Sequence, residues 1–373
     1  MKYAMIAGLV LGATLGTQAL AQNVTIGVIA PTTGPIATVG TRQLQSLQYW
    51  AETANKAGGV KGKQVEIAHC NDEGSPEKAT NCARDLIARG VALLINCSVT
   101  GPILATMPLV ANGPVMLTPS PNVIPAASTY VFQTSPSDRS QTQALAEFLK
   151  ASGVKRIGMV AATDSSGEIG VRSAQEVYPT YGIDLNLARI DLRATDASIQ
   201  LANVTKADVK VIYSSYSGAG AASVVKSYNN LGLELPLVIS YANISDAFTA
   251  LVKDEMPKRL LGTALKSVAP ALLSPEERAA YETFEKGFKA WRGQQVDMLT
   301  LTGAMLADTA QAIIANVPDP KDAKAVKTFL ETTPIKSIQT LKFSPDDHVG
   351  LGKDGVAIVE FKNGVWVEAA AIK

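Results

Sequence analysis

The chain carries two histidines, His69 and His348, in 373 residues. They stand far apart and neither has a partner at metal-ligand spacing, so a zinc-type site is not expected. A Ser–His–acid triad would have to use one of the two, and no Gly-x-Ser-x-Gly elbow supplies the nucleophile. Phosphate loops are missing as well. There is no G-x-x-x-x-G-K-[ST] run, and Gly218-Ala219-Gly220 reaches Ser223 where a dinucleotide fingerprint needs its third glycine. Charged residues make up 18% with a formal net charge of +1. No basic block is present to form the concentrated face that nucleic acid requires. No catalysis, cofactor, metal or nucleic-acid partner is therefore expected. Cysteine is also sparse, with Cys70, Cys82 and Cys97. They allow one disulfide and one leftover thiol in an oxidising compartment. The spacing favours Cys70–Cys82, from a strand end to the following helix, and leaves Cys70–Cys97 open.

What is present begins with an export signal. Lys2 precedes an apolar run from Ala4 to Leu15, and Ala19-Leu20-Ala21 is a small-x-small cleavage site, so residues 1–21 read as a signal peptide. The run is shorter than the roughly 20 residues of a membrane span. The rest exceeds the roughly 250–300 residues at which one core stops growing, so two lobes are expected. Hydrophobic residues at 47% are enough to build two cores.

Apolar strands and amphipathic helices alternate. Val24–Ala30, Val65–Cys70, Val91–Asn96 and Val115–Thr118 read as buried strands. Between them run helices over Thr41–Lys56, from Pro76 behind a Ser75 cap to about Ala88, and over Gly101–Ala111. The pattern restarts after Pro136. Strands are expected at Arg156–Ala161, Leu185–Asp191, Val209–Tyr213 and Leu237–Ser240, with helices at Gln141–Ala151, Gly167–Tyr178, Ile199–Val204 and Ala219–Leu231. Strands apolar along their length belong in parallel sheets covered on both faces. Three helices then follow between Pro275 and Thr332. Asn363-Gly364 between Val356–Phe361 and Val365–Ala369 announces a closing β-hairpin.

Hydroxyl and amide side chains gather at the expected strand ends, where open α/β sheets bind ligands. The loops are Thr32-Thr33-Gly34, Ser98-Val99-Thr100, Ser120-Pro121-Asn122, Asp164-Ser165-Ser166, Ser214-Ser215-Tyr216 and Tyr241-Ala242-Asn243. Candidate ligand-binding residues are Thr33, Ser98, Thr100, Ser120, Asn122, Ser166, Tyr216 and Tyr241. Ser98-Val99-Thr100, ahead of a helix, is the best placed to receive an anion.

With those residues in view the chain resembles the periplasmic solute-binding proteins of branched-chain-amino-acid-type ABC transporters. The likeness rests on Ile26-Gly27-Val28-Ile29-Ala30-Pro31 running into Thr33-Gly34-Pro35 and Gly40. It includes Asn55-Lys56-Ala57-Gly58-Gly59-Val60-Lys61-Gly62, close to the family's N-x-A-G-G-V-x-G, and Asp72 with Ser75-Pro76-Glu77-Lys78-Ala79. Cys97-Ser98 and Gly113-Pro114-Val115 complete it. The resemblance implies an α/β fold of two Rossmann-like lobes with parallel central sheets joined by three crossovers, the type I periplasmic binding architecture. By analogy lobe 1 is 22–140 plus 265–347, and lobe 2 is 141–264 plus 348–373. It also implies a periplasmic monomer that captures a small molecule by hinge closure and hands it to the membrane permease of an ABC importer. In the family the loops matching Ser98 and Ser120 to Asn122 hold the ligand carboxylate.

Two positions depart from the family pattern. Ser166 stands where an aromatic is common, and the run Ser240-Tyr241-Ala242-Asn243 lacks the acid that pairs the ligand ammonium. A buried ammonium without a counter-charge costs several kcal/mol. The expectation from sequence is therefore a small carboxylate without an ammonium, aromatic or another organic acid, with Tyr213, Tyr216 and Tyr241 lining its pocket. The alternatives are a branched-chain or other amino acid, or a ligand-sensing receptor module.

Overall fold

The computed structural model describes residues 23–34 and 36–372, so the signal segment 1–21 lies outside the described residues. In the first half the elements are β1 (Val24–Ile29), α1 (Ala37–Lys56), β2 (Val65–Cys70), α2 (Pro76–Ala88), β3 (Leu93–Asn96), α3 (Thr100–Thr106), β4 (Val115–Thr118) and β5 (Val131–Pro136). Next come α4 (Asp138–Ala151), β6 (Arg156–Ala162), α5 (Ser165–Val177), β7 (Asp184–Ile190), α6 (Ser198–Val204), β8 (Val211–Ser215), α7 (Gly218–Asn230), β9 (Leu237–Ile239), α8 (Asp246–Leu251) and β10 (Leu260–Leu265). The chain ends with α9 (Pro275–Arg292), α10 (Met298–Asn316), α11 (Ala323–Thr332), β11 (Val349–Leu351), β12 (Val356–Lys362) and β13 (Val365–Glu368).

Two sheets result, ordered β11-β5-β4-β3-β1-β2 and β13-β12-β10-β9-β8-β6-β7. The first is parallel throughout. The second is parallel from β7 to β10 and closes with the antiparallel β12 and β13. The strands β3, β4, β5 and β10 are buried along their whole length, as helices on both faces require. Asn363 and Gly364 take φ of 53° and 82°, the two positive values of the tight hairpin turn that joins β12 to β13.

The chain passes between the sheets three times: after Pro136, after Leu265 and after Leu351. The third passage corrects the expected boundary at 347/348. Val349 pairs with Gln133 and Leu351 with Pro136, so β11 belongs to the first sheet. His348 is anchored there too. Its ring stacks on Phe132 with centroids 3.9 Å apart, Nδ1 lies 2.9 Å from the Val131 carbonyl, and Nε2 lies 3.0 Å from Glu331 Oε1.

Helix starts follow local capping. Ser75 caps α2 by accepting from the Lys78 N–H, and Ser137 caps α4 by accepting from the Ser140 N–H. The Ser137 cap starts α4 at Asp138, three residues before the expected Gln141. Asp297 and Thr300 form a reciprocal box at the start of α10. The apolar α10 lies against α1, where Ser46 Oγ donates to the Thr300 carbonyl at 2.9 Å and Gln43 Nε2 donates to Thr302 Oγ1 at 3.1 Å. By length and composition α10 could cross a membrane, but 78% of its apolar window is buried inside the fold, as in a core helix. A disulfide joins Cys70 to Cys82 with Cα atoms 5.7 Å apart, and Cys97 is free and buried.

Candidate functional site

The carboxyl ends of the strands of both sheets face one cleft of about 390 Å³. The first sheet contributes Ile36, Thr38 and Val39 after β1, Ser98 to Thr100 after β3, and Pro119 to Asn122 after β4. The second contributes Asp164 and Ser166 after β6, Ser215 to Ala219 after β8, and Ser240 to Asn243 after β9. Seven of the eight residues expected from sequence therefore come together: Ser98, Thr100, Ser120, Asn122, Ser166, Tyr216 and Tyr241.

Thr33 does not line the cleft. Its hydroxyl accepts from Asn71 Nδ2 at 2.8 Å in an exposed position. The same Asn71 holds the Thr32 N–H at 2.9 Å. The loop is thus pinned to the end of β2, and its wall of the cleft is built three to six residues after Thr33, by Ile36, Thr38 and Val39.

The chemistry of the gathered hydroxyls is specific. Ser98 Oγ donates to Asp72 Oδ2 at 2.5 Å, and its N–H donates to Asn96 Oδ1 at 3.0 Å. Asp72 is fully buried, and burial raises its carboxyl above the ordinary range against the opposing pull of Ser98. The Ser98 proton is thus directed away from the cleft, which meets the oxygen lone pairs instead of the donor expected from sequence. Thr100 Oγ1 lies 2.9 Å from Ser166 Oγ, a contact from one lobe to the other. Ser166, at the position where an aromatic was expected by analogy, serves as the second lobe's half of that contact.

In the second lobe Tyr216 offers its ring, because its hydroxyl donates to the Leu192 carbonyl at 2.8 Å. The ring lies on Gly220, where a Cβ would come within 2.0 Å of it. That packing explains the second glycine of Gly218-Ala219-Gly220. Asn243 ties two cleft loops together, donating to the Tyr216 carbonyl at 2.8 Å and accepting from the Gly218 N–H at 2.9 Å. Tyr241 is 6% exposed and its Oη has no hydrogen-bond partner.

Sequence reasoning missed Asp138. It lies at the first passage between the lobes, at the start of α4, and its N–H donates to the Pro121 carbonyl at 2.8 Å. Its side chain lines the cleft, is buried, and among the described residues leaves Oδ2 without a partner. Burial pushes its carboxyl up to about 6, opposed by the Ser173 hydroxyl. The same carboxyl adds to the burial that raises the Tyr213 phenol beside it. Asp164, the other acid of the lining, caps α5 by accepting from the Gly167 N–H at 2.8 Å. Among the described residues, the lining contains no lysine, arginine or histidine. A wall with two acids and no cation suits a ligand that carries positive charge, which turns the sequence expectation of an ammonium-free carboxylate toward its amino-acid alternative.

Two parallel-sheet lobes, three passages and a hydroxyl-lined cleft at the strand ends define the two-lobed class of solute-binding protein. The model of the family described as periplasmic binding protein matches residues 23–364, and the chain belongs to that family. A Leu/Ile/Val-binding protein homolog 3 from Brucella melitensis is 29% identical over 166 residues, 43% of this chain, and the match spans 45% of that relative's length. The Leu/Ile/Val-binding protein BraC3 of Rhizobium johnstonii is 24% identical over 322 residues, 83% of each chain. Among solved structures, an ABC transporter substrate-binding protein from Desulfitobacterium hafniense in complex with Leu superposes with a TM-score of 0.76 at 19% identity, covering 93% of this chain and all of that one.

Proposed function

We propose that this protein captures an amino acid in the cleft between its lobes and presents it, in the periplasm, to the permease of an ABC importer. The observation that carries the reading is Asp138, a buried carboxylate with a free oxygen in a cleft that holds no cation. A ligand ammonium supplies the missing counter-charge, and a buried pair that loses one partner costs about 3–5 kcal/mol. The ligand carboxylate is received on the first lobe by the loop at Ser120 to Asn122 and by the backbone N–H groups of Val99 and Thr100, since the Ser98 hydroxyl proton is held by Asp72. Relatives named for leucine, isoleucine and valine binding support the same class. The reading of residues 1–21 as a cleaved signal peptide supports export. Closure of the two lobes brings Asp138, Thr100 and Ser166 around the ligand without any bond being made or broken, so the role is transport rather than catalysis.

Calorimetry with leucine and phenylalanine, set against 4-methylpentanoate and 3-phenylpropanoate, tests this. The amino acids are expected to bind at least about tenfold more tightly than their ammonium-free counterparts, a difference of about 1.4 kcal/mol. Asp138→Asn should erase the difference. Equal or tighter binding of the ammonium-free acids would overturn the reading.

A further inference from the structure

On the outer side of the first lobe, helices α1, α9 and α10 leave a second hollow between them. It has a volume of about 630 Å³ and is separate from the interlobe cleft. Its cause is visible in the packing. Of the 18 residues of α9 only Phe288 is fully buried, so this helix rests on α1 through an aromatic edge and leaves space beneath its first turns. Tyr49 meets Phe284 and Phe288 edge-on with ring centroids 5.9 and 5.8 Å apart. Tyr49, Trp50, Phe284 and Ile338 form the apolar walls, and alanines from all three helices leave the room.

One charged group opens on this hollow, Asp308. Its place is unusual. It is the single ionisable residue of α10, a helix whose other residues are mostly buried and apolar. A carboxylate in such a helix needs a partner. Ser337 Oγ donates to Oδ2 at 2.6 Å, and among the described residues no cation pairs with it. Lys336 lines a smaller adjoining hollow but is held 2.7 Å from Glu276. Among the described residues, no lysine, arginine or histidine lines the larger one. Burial pushes the Asp308 carboxyl up to about 6, as expected of an acid without a counter-charge. At the rim, Trp50 Nε1 donates to Gln311 Oε1 at 2.8 Å.

We infer that the hollow between α1, α9 and α10 is a second ligand site, taking a small organic ammonium whose apolar body lies against Tyr49, Trp50 and Phe284 and whose charge meets Asp308. An apolar pocket with one convergent charged group is the form that small-molecule sites take. The site is independent of the amino-acid reading of the cleft, because it shares no lining residue with it.

The probe is 2-phenylethylammonium, with 3-phenylpropan-1-ol as the uncharged counterpart, titrated into the full mature chain labelled with ¹⁵N at its three tryptophans. The Trp50 indole signal, assigned with Trp50→Phe, is expected to shift saturably with the ammonium and at least tenfold more weakly with the alcohol. Asp308→Asn keeps an acceptor for Ser337 and should weaken the shift at least tenfold with the melting transition intact. Ala280→Leu, which fills the hollow without touching the carboxyl, should abolish it. Asp138→Asn should leave it unchanged, which separates this site from the cleft. No saturable Trp50 shift, a shift insensitive to Asp308→Asn, or equal binding of the alcohol would overturn the proposal.

Discussion

Thr100 Oγ1 and Ser166 Oγ lie 2.9 Å apart and belong to different lobes, so a hydrogen bond joins the two walls of the cleft. A partly exposed bond of this kind contributes about 0.5–1.5 kcal/mol. Thr100→Val, which replaces the hydroxyl by a methyl of similar shape, should therefore shift the lobes toward the open arrangement. The expected result is a larger radius of gyration without ligand and about a two- to tenfold loss of affinity. Scattering and calorimetry that match the unmodified protein would show that the contact does not bias closure.

Asp138 is expected to make stability, and on the proposed reading ligand binding, depend on pH. Its carboxyl titrates near the ordinary value of 3.8 when unfolded and at about 6 when folded. The folded state therefore holds the proton more tightly. The stability this group supports is complete below about pH 4 and is lost as pH rises through 6. Asp308 acts with the same sign. A shift of this size corresponds to about 3 kcal/mol per group. Asp138→Asn should raise the melting temperature of the ligand-free protein more at pH 7.5 than at pH 4.5, while weakening amino-acid binding at pH 7.5. Melting curves showing the same difference at both pH values would count against an ionised, buried Asp138.

Gly220→Ala should disturb the cleft from behind. The added Cβ would sit 2.0 Å from the Tyr216 ring, which must swing away and release the Leu192 carbonyl. Forced repacking of this kind costs about 1–3 kcal/mol. Loss of stability together with weaker binding is expected from denaturant titration and calorimetry. An alanine variant with unchanged affinity would mean that the Tyr216 ring has no part in holding the ligand.

Much of this architecture was legible from the residues. Fully apolar strands reported sheets covered on both faces, and Asn363-Gly364 reported the hairpin. Hydroxyls at strand ends named most of the cleft because the end of a parallel strand is a position local pattern can locate. The omissions share a physical cause. Strand β11 is three residues long, and it exists through its pairing with β5 rather than through any pattern of its own. Val131–Pro136 ends on a proline and adjoins a polar run, so it did not stand out as a strand. Asp138 looked like one more polar residue near a turn. Its burial is imposed by two lobes meeting over it, and no local pattern carries that information. The one available signal was an acid at the first turn of the helix that follows the expected crossover. Thr33 failed in the opposite sense: its loop does reach the cleft, but the bond to Asn71 turns that residue outward.

A binding wall with two carboxylates and no lysine, arginine or histidine also decides what the protein ignores. On the proposed reading, phosphate, sulfate and dicarboxylates entering the cleft are expected to meet repulsion from Asp138 and Asp164 and to find no cation to offset their lost hydration. Their rejection is expected to precede any test of fit, because the field of the cleft acts at a distance. Abundant inorganic anions are therefore expected not to compete for the site.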